Sequence, residues 1–181
     1  MKITPLVAAL IVLAGLTLTA AAPDTTATVT LSDVHLCCAK CVKGIGTAVA
    51  PVTGVTAVCD TTADTVVLTA ADSATLQKGV DAIVAAGYFG KSSDPSIKVD
   101  ATTGAPDGNV TTLQITGVHN CCNSCAADLN AVISKVPGIT SDPLKANATT
   151  FTLTGNFNAK AFFDELQKAG FTGKVAVAPS K

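Results

Sequence analysis

The chain has 181 residues, 48% of them hydrophobic and 4% aromatic, and a formal net charge of −1. That length allows one large domain or two small ones, with a core of Val, Ala, Leu and Ile. All 12 basic residues are Lys; without Arg the bidentate contacts to phosphates and base edges are missing, which argues against a nucleic-acid partner.

Residues 1–22 read as a secretory signal peptide. Lys2 gives a positive start, Leu6 to Leu18 is an apolar run, and Ala20, Ala21 and Ala22 are small enough for cleavage. The run falls short of the roughly 20 apolar residues a transmembrane helix needs, and an uncleaved anchor is the alternative. The expected location is periplasmic or secreted, with no transmembrane helix in the mature chain. Removing the signal would also remove Met1, the only methionine, and with it any thioether ligand for copper. Export places the seven cysteines where disulfides can form. An odd number leaves at least one of them free, metal-bound or bridged to another molecule.

Residues 27–100 carry the pattern of a first small domain. Thr28 to Asp33 alternates polar and apolar residues, which predicts a strand with Val29 and Leu31 on one face. The segment His35-Leu36-Cys37-Cys38-Ala39-Lys40-Cys41 follows at once. From Cys41 the apolar residues Ile45, Ala48, Val49 and Val52 recur at helical spacing, until Thr53-Gly54 breaks the pattern. Val55 to Cys59 and Thr65 to Thr69 predict a hairpin. Asp72 or Ser73 can cap a second helix whose buried face is Leu76, Val80, Ile83 and Val84. Gly87 ends that helix, Tyr88 follows, and Ser96 to Val99 predicts a short last strand. Strand, helix, strand, strand, helix, strand is the split βαβ order of ferredoxin-like domains.

Residues 101–108 form a linker of Gly, Pro and small polar residues. Residues 109–178 then repeat the first unit. A strand over Val110 to Thr116 leads into His119-Asn120-Cys121-Cys122-Asn123-Ser124-Cys125, 84 residues beyond the first copy. Leu129, Val132, Ile133 and Val136 repeat the helical offsets, Phe151 and Leu153 mark the next strand, and Phe163 and Leu166 lie on the last helix. Ala169-Gly170-Phe171 answers Ala86-Gly87-Tyr88 at a shift of 83 residues. The predicted fold class is α+β, two tandem ferredoxin-like βαββαβ domains.

Both motifs read H-x-C-C-x-x-C, and they hold the chain's only two histidines and six of its seven cysteines. Imidazole and thiolate are ligands for soft and borderline metals, so the candidate metal ligands are His35, Cys37, Cys38, Cys41, His119, Cys121, Cys122 and Cys125. Cys38 and Cys122 should lie at the mouth of a helix, with Cys41 and Cys125 in its first turn, where the helix N-terminus favours thiolate. A pair of thiolates suits linear Hg(II) or Cu(I). A third from Cys37 gives a trigonal site, and His35 can complete a tetrahedral one for Zn(II) or Cd(II). Because neighbouring strand residues point opposite ways, Cys37 can join only if its loop bends. The alternatives are disulfide or redox pairing of each C-x-x-C, vicinal disulfides, and second-sphere or purely structural duty for the histidines. Cys59, the odd thiol, faces Pro143 in the repeat and is either a buried inert thiol or a dimer link.

The C-x-x-C at a helix mouth, the Gly-Val and Pro-Gly-Ile segments after the first helices, and Gly-Tyr or Gly-Phe after the second resemble the heavy-metal-associated domain. That family includes copper chaperones, metal-binding repeats of metal-pumping ATPases and periplasmic mercury-binding proteins. The resemblance implies one metal site per domain and transfer of metal by ligand exchange, with a membrane metal transporter or another metal-binding protein as recipient. The chain departs from the family's M-x-C-x-x-C: Leu36 and Asn120 stand where its Met would, and Cys37 and Cys121 are extra. The short linker keeps the two loops at high mutual concentration, so they can also clamp one ion between them. Neither a nucleophile with a histidine base, nor a paired carboxylate, nor a phosphate loop appears, so the expected function is binding rather than catalysis.

Overall fold

The computed structural model describes residues 26–176. The expected signal peptide, residues 1–22, and the last two residues of the second unit, 177–178, lie outside the described residues. The elements are β1 (Ala27–Ser32), α1 (Ala39–Val49), β2 (Thr56–Asp60), β3 (Thr65–Ala70), α2 (Ser73–Ala85), β4 (Lys91–Ser92), β5 (Asn109–Thr116), α3 (Asn123–Lys135), β6 (Thr150–Asn158), α4 (Ala159–Lys168) and β7 (Lys174–Val175). They make an α+β fold with four helices and two antiparallel sheets, ordered β2-β3-β1-β4 and β6-β5-β7.

In the first half, alternation decides which side of the sheet is dry. Val29 and Leu31 of β1 and Val66, Leu68 and Ala70 of β3 are buried, while Thr28, Thr30 and Thr69 turn away. Ile45 and Val49 of α1 and Leu76, Val80 and Ile83 of α2 close the core from the helical side. Asp72 caps α2 by accepting the Thr75 N–H at 2.7 Å. The order βαββαβ is the one the sequence predicts.

The predicted last strand, however, is displaced. Residues 96–99 form no strand, and pairing with β1 is made instead by Lys91–Ser92 against Leu31 and Ser32. A turn explains the shift: the Asp94 carboxylate accepts from both the Ser96 N–H and the Ser96 hydroxyl at 2.8 Å, folding the chain away from the sheet. The side chain of Gln77 then serves Lys98 as a strand neighbour would, accepting from its N–H and donating to its carbonyl.

The second half is not a complete βαββαβ unit. Its first hairpin strand is reduced to a bridge between Ile139 and Gly155, so the sheet has three strands rather than four. Pro143 cannot donate to a ladder, and the Asn130 side chain takes both the N–H and the carbonyl of Leu144. The core is otherwise analogous, with Leu113, Ile115, Leu153 and Phe157 facing Leu129, Val132, Phe162 and Leu166.

The halves interlock by exchange. Gly87 of the first lies against the backbone of Gly117, Val118 and His119, and Gly170 of the second lies against Asp33, Val34 and His35. Tyr88 and Phe171 form an antiparallel bridge, flanked by hydrogen bonds from Phe89 N to Gly170 O and from Thr172 N to Gly87 O, both 3.0 Å. Each of these two glycines has positive φ (88° and 80°) and no room for a Cβ, so only glycine allows the approach.

Candidate metal centre

Both motif loops begin with a left-handed residue, Asp33 (φ 58°) and Gly117 (φ 76°), which turns the chain out of β1 and β5. This is the bend the extra cysteines require, and it brings Cys37 and Cys121 round to face the helix openings. Cys38 and Cys122 are the N-cap residues of α1 and α3, in nearly the same extended conformation. Cys41 and Cys125 lie in the first helical turn, as the spacing predicts, and both are fully buried.

The exchange of Gly-aromatic segments sets the two loops against each other, and all six motif sulfurs meet at the seam. Within the first half, the Sγ of Cys41 lies 3.5 Å from that of Cys37 and 3.9 Å from that of Cys38. Within the second, Cys125 lies 3.8 Å from Cys121 and 3.5 Å from Cys122. Across the seam the separations are just as short: Cys37–Cys125 3.5 Å, Cys37–Cys122 3.6 Å, Cys38–Cys122 3.8 Å, and Cys41 to both Cys121 and Cys125 3.9 Å. All seven cysteines of the chain are free thiols. Three sets of donors close to within 4.8 Å: His35, Cys37, Cys41 and Cys125; Cys41, His119, Cys121 and Cys125; and Cys37, Cys38 and Cys122.

The histidines flank this cluster, and each is stacked on an aromatic ring from the opposite half. His35 lies on Phe171 with ring centroids 4.1 Å apart, and His119 on Tyr88 at 4.0 Å. The Tyr88 hydroxyl donates to the Cys41 carbonyl (3.0 Å) and sits 3.1 Å from His119 Nε2. A phenol has one proton; spent on the carbonyl, the oxygen can only accept from His119, which places the imidazole proton on Nε2 and leaves Nδ1 with a free lone pair. Burial, reinforced by the nearby thiols, pushes the Tyr88 pKa up, so the hydroxyl keeps its proton. On the other side Phe171 has no hydroxyl. There the buried Nε2 of His35 has no hydrogen-bond partner and faces the Asp128 carboxylate at 3.8 Å.

Thiol ionisation is uneven. Backbone N–H groups of Cys41 and Lys40 at the helix opening hold the Cys38 pKa down to about 7. Cys125 is driven well below the ordinary thiol range, chiefly by the Cys41 S–H pointing at it. The same contact pushes Cys41 up. Burial raises Cys37, and it raises Cys121 to about 12. At neutral pH the thiolate charge of the cluster therefore falls on Cys125 and in part on Cys38.

Access is from two sides. A cleft of about 470 Å³ runs past Asp33, Asp64 and Asp128 to His35 and Cys37. Another of about 340 Å³ reaches His119 and Cys121. Leu36 and Asn120, each next to a motif histidine, are held elsewhere. Leu36 is core, and the buried Asn120 amide donates to the carbonyls of Lys145 and Ala148, pinning that loop. Cys59 is half-buried on β2 and packed on the core, its pKa raised by burial. It turns inward, with Val58 facing solvent, rather than away from the helices. Sequence reasoning missed Asp128 and the Tyr88 hydroxyl. The signal for both was a paired difference between the repeats: Gly44 with Tyr88 in the first, Asp128 with Phe171 in the second. A Cβ at Gly44 would strike the Tyr88 hydroxyl.

The N-terminal soluble domains of Bacillus subtilis CopA are similar to this chain at 16% identity, over 84% of this chain and 95% of that one, with a TM-score of 0.30. No protein-family model matches the chain, and no curated protein does. The chemistry of the site therefore rests on its own geometry. Among the described residues no helix is long and apolar enough to cross a membrane.

Proposed function

We propose that this protein is an exported binder of thiophilic metal ions, a carrier or scavenger for Cu(I), Hg(II), Zn(II) or Cd(II), and that its two halves work as paired heavy-metal-associated domains. The observation that carries the reading is the convergence of six thiols and two imidazoles at one seam, every sulfur within 3.9 Å of another. Soft thiolates select soft and borderline ions, and few other chemistries call for so many of them in contact. The site is one shared nest rather than one per half. Cys37 is exposed, and Cys38 and Cys122 are partly so, whereas Cys41 and Cys125 are buried. An incoming ligand from a transporter or another metal-binding protein would therefore displace the outer sulfurs first and the inner ones last.

Replacing all six motif cysteines by Ser tests the reading. Metal uptake by the reduced protein should be lost while the helical circular dichroism persists; unchanged uptake would refute it. The second reading is a thiol–disulfide protein. The lowered Cys38 pKa and the 3.5 Å separation of Cys122 and Cys125 favour it. It predicts stable disulfides in the isolated protein and no metal uptake after reduction.

A further inference from the structure

The three donor sets overlap. The first two share Cys41 and Cys125, and the first and third share Cys37. Two ions in the first two sets cannot be independent, because each needs the two buried central sulfurs. A single ion would take at most four of the eight donors and leave several thiols packed against one another with nothing between them. Sharing removes both difficulties, since a thiolate sulfur has lone pairs enough to bind two cations.

We propose, on the metal-binding reading above, that the nest holds a small thiolate-bridged cluster of up to three Cu(I) ions, with Cys37, Cys41 and Cys125 as the bridges. Distances favour three- or four-coordinate ions over linear pairs, and six thiols supply several such ions only if some sulfurs are shared. With metal–sulfur bonds of about 2.3 Å, sulfurs on one ion stand about 4.6 Å apart in a linear site, about 4.0 Å in a trigonal one and about 3.8 Å in a tetrahedral one. The observed separations are 3.5–3.9 Å. Two arguments favour Cu(I) over a divalent ion. Cations on a common sulfur repel in proportion to the product of their charges, so the repulsion is about fourfold weaker for monovalent ions. The third set offers only three sulfurs, which satisfies trigonal Cu(I), while Zn(II) wants four ligands. Each thiol that binds forms an S–Cu bond and gives its proton to the buffer. Copper stays Cu(I), and no electron moves.

The full-length, reduced protein is titrated anaerobically with Cu(I) against a chromophoric Cu(I) chelator. Native mass spectrometry reads ions per chain, and X-ray absorption reads Cu–Cu neighbours. The expected result is a monomer that passes to a multi-copper state with one-copper intermediates scarce, a short Cu–Cu distance, and the visible luminescence of shielded polynuclear Cu(I) thiolates. Cys37→Ser, in an exposed loop, should lower the final count by at least one, whereas Cys59→Ser should leave it unchanged. One copper per chain, several without a Cu–Cu neighbour, or a cluster found only in dimers would overturn the inference and leave metal binding standing. Failure to take up Cu(I) or any other thiophilic ion would overturn both. A Cys37→Ser protein with the same count and the same Cu–Cu distance would overturn the assignment of that bridge.

Discussion

Tyr88→Phe removes one oxygen from a fully buried ring and leaves the stack on His119 in place. Two hydrogen bonds go with it, one to the Cys41 carbonyl and one from His119 Nε2. An imidazole N–H left without a partner in this part-buried contact costs about 1–3 kcal/mol. Taking about 2 kcal/mol, and about 2–4 °C per kcal/mol for a chain of this size, the metal-free protein should melt about 4–8 °C lower. The second effect is on the imidazole. With Nε2 no longer held, His119 should populate both tautomers, and metal affinity should fall about 10–100-fold, as when an outer partner of a ligating histidine is lost. The assay pairs a thermal melt with ¹⁵N chemical shifts of the His119 ring nitrogens. Shifts that still report a protonated Nε2, together with a melting temperature within a degree of wild type, would refute the reasoning.

Gly87→Ala and Gly170→Ala should each destabilise the seam. A left-handed alanine costs about 1–2 kcal/mol, and a methyl forced against backbone adds about 1–3 kcal/mol; denaturant melts would show it, with Gly46→Ala as a control whose Cβ meets nothing. Cys38 should be the fastest thiol to alkylate in the metal-free protein, with a rate that falls as pH drops through about 7. Its lowered pKa means that the thiolate's contribution to stability is full above the unfolded value near 9 and is lost as pH falls through about 7; a rate profile centred at the ordinary thiol pKa would contradict this. Chelation under reducing conditions should leave the far-ultraviolet circular dichroism intact, because the core of Leu31, Ile45, Leu68 and Ile83 closes without the nest. Loss of helix on chelation would instead make the metal a structural one.

The parts of this molecule that follow from local period were legible in the sequence. Cys41, Ile45 and Val49 fell on one helical face, Asp72 capped the next helix, and Thr65 to Thr69 paired in a hairpin. The helix-mouth placing of Cys38 and Cys122 followed from the same spacing. What failed was decided by side chains acting at a distance. Gln77 takes the hydrogen bonds that would have made Lys98 part of a strand, and Asn130 does the same at Leu144. No periodicity announces such contacts. The two loops could be imagined around one ion, but the means of their meeting could not. The exchange of Gly87 and Gly170 between halves joins residues at least 30 apart in one case and more than 130 in the other, through close backbone approach.

The Tyr88–Phe171 bridge has a bearing on symmetry. Two identical subunits meeting on a dyad must repeat every residue, so a phenol beside one imidazole would oblige a phenol beside the other. A single polypeptide that folds back on itself is free of that obligation. It can give one histidine a neutral hydroxyl and the other a carboxylate, and so make the two ends of a nearly twofold site unlike in the group that faces each ring.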